Sequence, residues 1–321
     1  MAGLFFVITM EQTKKTIKKS LRDKIVKTGR FIGNTPLLPV ENFELADQTS
    51  LSAKAEWLQL GGSVKARPAW QIIKSAIFEG QLSENKTLLD ASSGNTAIAY
   101  AMIAARLNIP CHICIPENVS AERISMLKAF NAELTFTPAG ESTEGASAQA
   151  AKMKEEHPDK FYFADQYSNE ANSYAHEVTT GPEIFRQTDG KITHFVAGLG
   201  TTGTITGTAR YLKQKNPEIQ IIALQPDSPM HILEGWKELE TAGTPAIFDE
   251  KWIDDFQYVS SEDSLNLIKN IAEKEGVLLS PSAAANFAGA LKIAQNVPYS
   301  NVVTIFPDDF SKYSEILKNI L

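Results

Sequence analysis

The chain has 321 residues, of which 31 are basic and 38 acidic, giving a net charge of −7. This length favours two domains or one large α/β unit, and the acidity argues against nucleic acid or an anionic membrane as the main partner. The two cysteines are too few for a disulfide framework, so we expect a cytoplasmic protein that acts on a small soluble substrate.

The N-terminal residues MAGLFFVITM carry a short apolar run. No basic residue precedes the run and no small-residue cleavage site follows it, so we do not predict a signal peptide. The run is also too short to span a bilayer. Met10 is an alternative start, which leaves open whether residues 1–9 belong to the native protein. The basic stretch that follows, KKTIKKSLRDKIVKTGR, predicts a helix with a solvated face.

Short β-branched apolar runs alternate with helical stretches along the rest of the chain. This alternation is typical of parallel sheets connected by crossover helices, so the sequence predicts an α/β fold. A change of domain near residues 165–170 is only weakly marked. The pairs are TLLDAS followed by GNTAIAYAMIAARL, CHICIP by AERISMLKAF, and ITHFVAGLG by TITGTARYLKQK, with QIIALQP opening the next unit.

Polar loops of Gly, Ser, Thr and Asn lead into several of these predicted helices. In open α/β sheets the ligand lies at the carboxyl ends of the strands, in loops of this kind. Such loops present backbone N–H groups together with hydroxyls and amides. We therefore expect the chemistry in LGGSVK, ASSGNT and GLGTTGT, at residues 60–65, 91–96 and 198–204.

The loop GLGTTG matches the GxGxxG pattern of dinucleotide sites, and Asp227 ends the next predicted strand. Its threonines suggest another ligand, because several hydroxyls beside N–H groups at a helix N-terminus suit a phosphate monoester. A dinucleotide site and a purely structural turn both remain open as alternatives.

Lys65 stands directly before a predicted helix. The positive end of the helix dipole disfavours an ammonium group, which makes Lys65 a candidate for Schiff-base chemistry. Most lysines are solvated surface groups, and Lys65 alone would be read in that way. A phosphate loop and a second polar loop in the same chain favour a cofactor with an aldehyde and a phosphate, which is pyridoxal phosphate.

The motifs GGSVKARPAWQII, SSGNTAIAYAMIAARLNIP, DQYSNEANSYAHEVTTGPEI, GLGTTGTITG and EGVLLSPSAAA occur in the order seen in one enzyme family. Over about residues 30–310 the chain resembles the cysteine synthase family of pyridoxal-phosphate enzymes. The resemblance implies fold type II, like the tryptophan synthase β-subunit, with two three-layer α/β domains and mostly parallel sheets. It implies an N-terminal domain at 48–168 with a mobile substrate-carboxylate loop. The C-terminal domain, 1–47 and 169–321, would carry the phosphate-binding loop.

The resemblance also implies roles for the cofactor-binding residues. Lys65 would bind the cofactor aldehyde covalently and later move the α-proton of the substrate. Asn95 would hydrogen-bond the ring hydroxyl oxygen, and Ser282 would face the pyridine nitrogen. A hydroxyl there does not enforce a protonated ring, which favours β-elimination over transamination. The phosphate would be held by Gly200, Thr201, Thr202, Gly203 and Thr204.

A second set of residues resembles the family's substrate-binding groups. Gln166 would contact the substrate carboxylate, and Gly235 would line the substrate entrance. Taken singly, Ser93, Asn95 and Ser282 also suit ordinary helix caps, and Gln166 suits a group that only satisfies a loop. The carboxylate loop comprises Ser92, Ser93, Gly94, Asn95 and Thr96.

The resemblance implies the activity of a cysteine synthase: O-acetyl-L-serine or O-phosphoserine reacts with a sulfur nucleophile through an aminoacrylate to give L-cysteine. The resemblance also implies a homodimer. The alternatives are a cystathionine β-synthase, a serine/threonine dehydratase, a nicotinamide-dependent dehydrogenase and a non-catalytic homologue that binds pyridoxal phosphate. The leaving group and sulfur donor stay open.

Several positions depart from the family pattern without removing a group that does chemistry. Gln59 and Leu60 stand where asparagine and proline are common, Ala66 replaces an aspartate, and Ala97 replaces a glycine. The stretch SPSAAA is also poorer in glycine than usual. The segment from Trp236 to Glu250 resembles the family branch with a longer loop.

Cys111 and Cys114 have the CxxC spacing of some zinc and redox sites. In a strand these positions point to opposite faces, and no second pair completes four ligands. The sequence therefore predicts core packing for both cysteines and no metal site.

Overall fold

The computed structural model describes residues 17–313 of the chain. The apolar N-terminal run, with its alternative start at Met10, lies outside the described residues. The described chain divides into two compact units. Unit 1 comprises the described residues up to Ile32 together with Ala69–Ala171, and unit 2 comprises Gly33–Pro68 together with the described residues from Asn172 onward.

The strands of the two units form two separate sheets. The predicted apolar runs each become a strand, which confirms the periodicity argument at those positions. In chain order the strands are β1 (Leu37–Val40), β2 (Ser50–Ala55), β3 (Thr87–Ala91), β4 (Cys111–Pro116), β5 (Glu133–Thr137), β6 (Phe161–Phe163), β7 (His194–Gly198), β8 (Gln220–Pro226), β9 (Asp255–Val259) and β10 (Asn301–Phe306).

Helices follow most of the strands, as expected for parallel sheets with crossover connections. The basic N-terminal stretch contributes the first helix, and its predicted helical character is confirmed from Lys19 on. The α-helices are α1 (Lys19–Gly29), α2 (Ala66–Phe78), α3 (Asn95–Leu107), α4 (Ala121–Ala129), α5 (Ser142–Glu156), α6 (Ala171–Val178), α7 (Thr180–Gln187), α8 (Gly203–Lys215), α9 (Leu239–Ala242), α10 (Ser261–Glu275) and α11 (Pro281–Asn296).

Unit 2 contains a six-stranded sheet in the order β1-β2-β10-β7-β8-β9. Only β1 runs antiparallel to its neighbour, and the other pairs are parallel. Alternate residues of β8 enter different cores: Ile222 and Leu224 join the side chains of α10 and α11, whereas Ile221 and Ala223 join those of α8. Because both faces of the sheet are covered by helices, unit 2 is a three-layer α/β structure.

Unit 1 contains a four-stranded parallel sheet in the order β5-β4-β3-β6. One apolar cluster joins Leu89 of β3 and Cys114 of β4 to Ala146 and Ala150 of α5. Small alanines on α5 let the helix lie close to the strands. Helix α3 also packs against β3 and β4, and α1 packs against α3.

The resemblance implies one domain at 48–168 and a second domain made of 1–47 and 169–321. The observed division of the chain differs from these bounds. The segment that contains β2 belongs to unit 2, because Ser50–Ala55 pairs with β10 over its full length. The described residues up to Ile32 belong to unit 1, because α1 packs against α3.

Both cysteines are free and buried in β4, where every residue is buried. Burial raises the pKa of Cys111 well above its usual range and that of Cys114 to about 12. The Cys114 Sγ lies 3.7 Å from the Met153 Sδ, in the core of unit 1. Within residues 17–313 no helix is long and apolar enough to cross a membrane.

Candidate active site

Three neighbouring strands of unit 2 end at the same edge of the sheet. Strands β2, β10 and β7 are adjacent and parallel, so their carboxyl ends lie side by side. The segments that leave them carry Lys65, Asp308 and the phosphate loop, respectively. A hydrogen bond of 2.7 Å from the Val64 N–H to the Pro307 carbonyl joins the first two segments. The sequence-predicted lysine and phosphate loop therefore leave the same edge of one sheet.

Lys65 directly precedes α2, as the sequence predicted. The chain reaches it through a turn in which Gly61 and Gly62 have φ angles of +93° and +60°, a region that side chains disfavour. Part of the Lys65 side chain remains accessible. Burial of its amine lowers the pKa, and the Asp308 carboxylate opposes this shift. Burial is thus the cause that the structure shows, whereas the sequence suggested the helix dipole.

The loop after β7 has glycines where it packs closely against other segments of unit 2. Thr202 adopts a left-handed conformation at φ +66°, and α8 begins at the next residue, Gly203. A Cβ at Gly200 would lie 2.0 Å from the Gly235 carbonyl oxygen, and one at Gly203 would lie 2.0 Å from the Asn172 Oδ1. Side chains are therefore excluded at both positions. The loop runs into the start of α8, where the first N–H groups of a helix have no intrahelical acceptor and can bind a phosphate.

The segment at Gly235 packs against this loop. Gly235 has a φ angle of +78°, and the Lys237 N–H donates a 2.7 Å hydrogen bond to the Leu199 carbonyl. A Cβ at Gly198 would lie 2.2 Å from the Trp236 ring. The Gly235 backbone consequently supports the phosphate loop. Its predicted position at the substrate entrance stays a prediction.

His176, on α6, was missed by the sequence analysis and contacts the phosphate loop. Its Nε2 lies 3.3 Å from the Thr204 Oγ1, and its Nδ1 lies 2.9 Å from the Thr180 Oγ1. Burial lowers the pKa of His176 well below its usual value, and the charges of Arg67 and Lys65 lower it further. A neutral imidazole has one donor and one acceptor, so the ring orients the two hydroxyls. The motif AHEVTTG gave no local sign of this contact.

Ser282 is buried near the start of α11. Ser280, rather than Ser282, is the N-cap of this helix, and its Oγ accepts a 3.2 Å hydrogen bond from the Ala283 N–H. The two serine Oγ atoms lie 3.2 Å apart. The capping alternative for Ser282 is therefore not what the structure shows.

Asp308 is a second residue that sequence reasoning missed. It is buried two residues after the end of β10, and its Oδ2 accepts a 2.8 Å hydrogen bond from the Tyr313 hydroxyl. The Ser280 Oγ lies 3.3 Å from the Asp308 carbonyl oxygen. Asp308 therefore links the segment after β10 to the start of α11, and its charge acts on the Lys65 amine.

Four buried charged side chains of unit 2, Lys54, Glu56, Arg67 and Glu183, form an ion network. The Arg67 Nε donates to the Glu56 Oε2 at 2.6 Å, and its Nη1 and Nη2 donate to Glu183 at 2.8 and 2.7 Å. The Lys54 Nζ donates to the Glu183 Oε2 at 2.8 Å and to the Thr35 carbonyl at 2.6 Å. Burial opposes ionisation of Glu183, but Arg67 and Lys54 outweigh it and lower its pKa to about 2. The network thus pairs two basic side chains with two acidic ones.

Some departures from the family pattern have visible contacts. The Gln59 side chain accepts a 2.9 Å hydrogen bond from the Gly33 N–H and donates a 2.7 Å bond to the Glu56 Oε2, which ties it to the ion network. Ala66 and Ala97 are buried at the starts of α2 and α3. Nothing in the structure explains Leu60.

The predicted carboxylate loop lies in unit 1, between β3 and α3. Gly94, rather than Ser93 or Asn95, is the N-cap of α3, and a Cβ at Gly94 would meet no atom within 4 Å. The Ser92 Oγ accepts a 3.2 Å hydrogen bond from the Gly94 N–H. The Arg123 Nη1 donates to the Ser93 carbonyl at 3.4 Å. The loop therefore presents an open backbone at a helix N-terminus, which suits a carboxylate.

Gln166 joins this loop to the segment after β6. Its Nε2 donates to the Ala91 carbonyl at 3.1 Å, and its Oε1 accepts a 2.8 Å hydrogen bond from the Thr96 Oγ1. The structure thus brings Gln166 together with the loop, as expected of two parts of one site. The same hydrogen bonds are also expected under the alternative, in which Gln166 only satisfies polar groups of the loop.

Asp90, also missed at the sequence level, is buried in β3 beneath this loop. Its Oδ1 accepts a 2.8 Å hydrogen bond from the Ala91 N–H, and its carboxyl also interacts with the Gln166 backbone N–H. Burial raises the pKa of Asp90 from 3.8 to about 7, and these hydrogen bonds oppose the shift.

Because the folded-state pKa of Asp90 is raised, its ionisation destabilises the native state progressively between about pH 4 and pH 7. The substitution Asp90→Asn removes this ionisation. We therefore expect the change in the free energy of unfolding that it causes to be more stabilising at pH 8 than at pH 4, by up to about 4 kcal/mol. Urea unfolding of both proteins at the two pH values measures this difference. An equal effect at both pH values would contradict the raised pKa.

Comparison with known proteins identifies the family. A profile described as "Pyridoxal-phosphate dependent enzyme" matches residues 29–308. The chain is 40% identical over 302 residues to the cysteine synthase of Aquifex aeolicus (strain VF5), covering 92% of this chain and 91% of that protein. It is 33% identical to the O-acetylserine dependent cystathionine beta-synthase of Bacillus subtilis (strain 168), covering 88% of this chain and 94% of that protein.

A solved structure agrees with the sequence relatives. The crystal structure of cysteine synthase from Entamoeba histolytica matches with a TM-score of 0.83 at 29% identity, covering 92% of this chain and 94% of that one. The predicted fold class is confirmed, and the nicotinamide alternative loses its support. The desolvated Lys65 amine also fits an aldehyde, and the glycine- and threonine-rich loop that runs into the start of α8 fits a phosphate. The chain therefore belongs to the family of pyridoxal-phosphate dependent enzymes.

Proposed function

We propose that the protein is a cysteine synthase that replaces the β-substituent of O-acetyl-L-serine with a sulfur nucleophile to form L-cysteine. The observation that carries the proposal is the shared sheet edge in unit 2, from which both the Lys65 segment and a loop rich in glycine and threonine leave. The 40% identity to a protein named cysteine synthase supports the reaction type.

When bound, pyridoxal phosphate supplies an aldehyde that condenses with amino groups and a ring that withdraws electrons from the substrate Cα. Lys65 would hold the aldehyde and then, as the free amine, take the Cα proton. Burial lowers the pKa of Lys65, which favours the neutral amine that a base must be. Ser282 would face the ring nitrogen, and Asn95 the ring hydroxyl oxygen.

The phosphate would lie against residues 200–204. The N–H groups at the start of α8 would donate to its oxygens, and the Thr201, Thr202 and Thr204 hydroxyls would add further donors. The loop of unit 1, Ser92 to Thr96, would bind the substrate carboxylate with Gln166. If this loop is mobile, as the resemblance implies, its closure would exclude water from the reacting atoms.

His176 is expected to support phosphate binding by orienting the Thr204 hydroxyl. His176→Asn should weaken the affinity for pyridoxal phosphate by about tenfold, the effect of losing one buried hydrogen bond. Fluorescence titration of the apoenzyme with pyridoxal phosphate measures this affinity. His194→Asn is the control, because His194 stands at the start of β7, away from the loop. Equal affinities for the two variants would contradict the role of His176.

A direct assay tests the reaction. The purified holoenzyme is given O-acetyl-L-serine or O-phosphoserine, each with sulfide, and L-cysteine and the released acetate or phosphate are quantified. We expect O-acetyl-L-serine to be the better substrate. Release of pyruvate and ammonia without cysteine would indicate a dehydratase, and absence of any turnover with a bound cofactor would indicate a non-catalytic homologue.

A cystathionine β-synthase is the second candidate, because the Bacillus subtilis relative carries that name with O-acetylserine as its named substrate. The same assay with homocysteine in place of sulfide separates the two. Cystathionine formed faster than cysteine, at equal acceptor concentrations, would favour the second candidate.

We also propose a cytoplasmic homodimer. The free, buried cysteines and the acidic composition are compatible with this location, and the dimer rests on the family resemblance. Light scattering should then give a mass near 70 kDa, twice the 35.2 kDa of the chain.

A further inference from the structure

Asp90 is a buried carboxyl group that the proposed reaction does not use. It lies in β3, two residues before the carboxylate loop begins at Ser92. One of its oxygens accepts a hydrogen bond from the Ala91 N–H, and the carboxyl also interacts with the Gln166 backbone N–H. Asp90 therefore holds the starting points of both segments that we assign to the substrate carboxylate.

The Gln166 side chain completes this connection. It donates to the Ala91 carbonyl at 3.1 Å and accepts from Thr96, the second residue of α3, at 2.8 Å. A change at Asp90 thus reaches the carboxylate loop through two short paths, the Ala91 backbone and Gln166. All of these contacts lie within unit 1.

Within the described chain, titratable groups of α3, β4, β6 and the segment after β6 act on Asp90 or are acted on by it. None of these groups is a cation. Burial raises the pKa of each of the tyrosines and cysteines among them, so these groups are neutral at pH 7. The Tyr100 hydroxyl interacts with the Asp90 carboxyl, although the geometry of a full hydrogen bond is not met. The groups are Tyr100 of α3, Cys111 and Cys114 of β4, Tyr162 of β6, and Asp165 and Tyr167 beyond it.

On the basis of the proposed function, we propose that Asp90 is a positioning residue whose protonation is coupled to binding of the substrate carboxylate. An ionised Asp90 places a negative charge, uncompensated by any of these neighbours, beneath a loop that must accept a second negative charge. Like charges in a poorly solvated site repel more strongly than in water. The loop therefore binds a carboxylate more tightly when Asp90 is neutral.

The coupling must be reciprocal. If protonation of Asp90 favours carboxylate binding, then carboxylate binding favours protonation of Asp90, and a proton is taken up with the ligand. Because burial raises the pKa of Asp90 to about 7, both protonation states are populated at neutral pH. Substrate binding would thus respond to pH around neutrality.

The test uses the holoenzyme and propionate, a carboxylate without an amino group that would titrate. Calorimetry gives the Kd between pH 6 and pH 8, and repeating it in buffers of different ionisation enthalpy gives the protons taken up. For the wild-type protein we expect Kd to rise about five- to tenfold from pH 6 to pH 8, with proton uptake near pH 7. Asp90→Asn, a neutral mimic of the protonated form, should keep the low-pH Kd throughout.

Asp165→Asn is the matched variant. The Asp165 charge raises the pKa of Asp90, so its removal should retain the pH response but shift its midpoint to lower pH. A wild-type Kd that does not change with pH, or the same pH response in Asp90→Asn as in the wild type, would overturn the proposal. If Asp90→Asn does not fold, an unshifted midpoint in Asp165→Asn overturns it instead.

Failure of the proposed function is distinguishable from these outcomes. A holoenzyme that forms neither cysteine nor cystathionine from O-acetyl-L-serine, yet shows the Asp90-dependent response to propionate, contradicts the reaction and supports the coupling. Cysteine formation without that response supports the reaction and contradicts the coupling.

Discussion

Lys65→Ala is expected to lower kcat/KM for cysteine formation by at least about 10³-fold, within the range found for the loss of a positioned general base. The variant removes both the amine that would hold the cofactor aldehyde and the base that would take the Cα proton. Initial rates with O-acetyl-L-serine and sulfide measure the loss. Borohydride reduction followed by peptide mass spectrometry should place the cofactor on Lys65 in the wild type and nowhere in the variant.

Lys74→Ala is the control for Lys65. Burial also lowers the pKa of Lys74, which lies on α2, the helix that follows Lys65, so the control removes another amine whose pKa burial lowers. We expect it to keep wild-type activity and cofactor attachment. Cofactor found on Lys74, or an active Lys65→Ala protein, would refute the assignment.

Arg67→Met is expected to destabilise the protein by about 3–5 kcal/mol, the cost of removing one partner from a buried ion network. The variant leaves the Glu56 and Glu183 carboxylates without the guanidinium that both contact. Lys54 remains bonded to Glu183, so Glu56 loses the most. Urea unfolding of the variant and the wild type measures the difference.

The matched control for Arg67 is Lys213→Met. Lys213 pairs with Asp254 at 2.7 Å, but this pair lies nearer the surface, with the aspartate side chain 30% exposed. Surface pairs contribute about 0–1 kcal/mol, so a small effect is expected. Equal losses in the two variants would show that burial does not set the strength of the Arg67 network.

The strands and helices that position the site could be predicted from local sequence. Apolar runs such as QIIALQP and the helix-permissive stretch after GLG carry their own periodicity, and both became the elements expected, β8 and α8. The polar loops at strand ends could also be predicted, because glycine, serine and threonine are selected locally by turns and helix starts. Lys65, before α2, belongs to this group.

Other features could not be read from the sequence because they depend on residues that are far apart along the chain. His176 reaches Thr204 only because α6 packs beside the phosphate loop, and Glu183 meets Lys54 across 129 positions. The unit to which β2 belongs is decided by its pairing with β10, about 250 residues later. No local sequence pattern predicts any of these contacts.

The sequence by itself determined the α/β alternation, the loops where chemistry was expected and the lysine at position 65, because hydrophobic periodicity and turn chemistry are local properties. Only the tertiary structure decided how charged those groups are. Burial lowers the pKa of Lys65, and burial raises that of Asp90 to about 7. The free energy of an ionised group depends on the atoms that replace water around it, and folding brings those atoms from the whole unit.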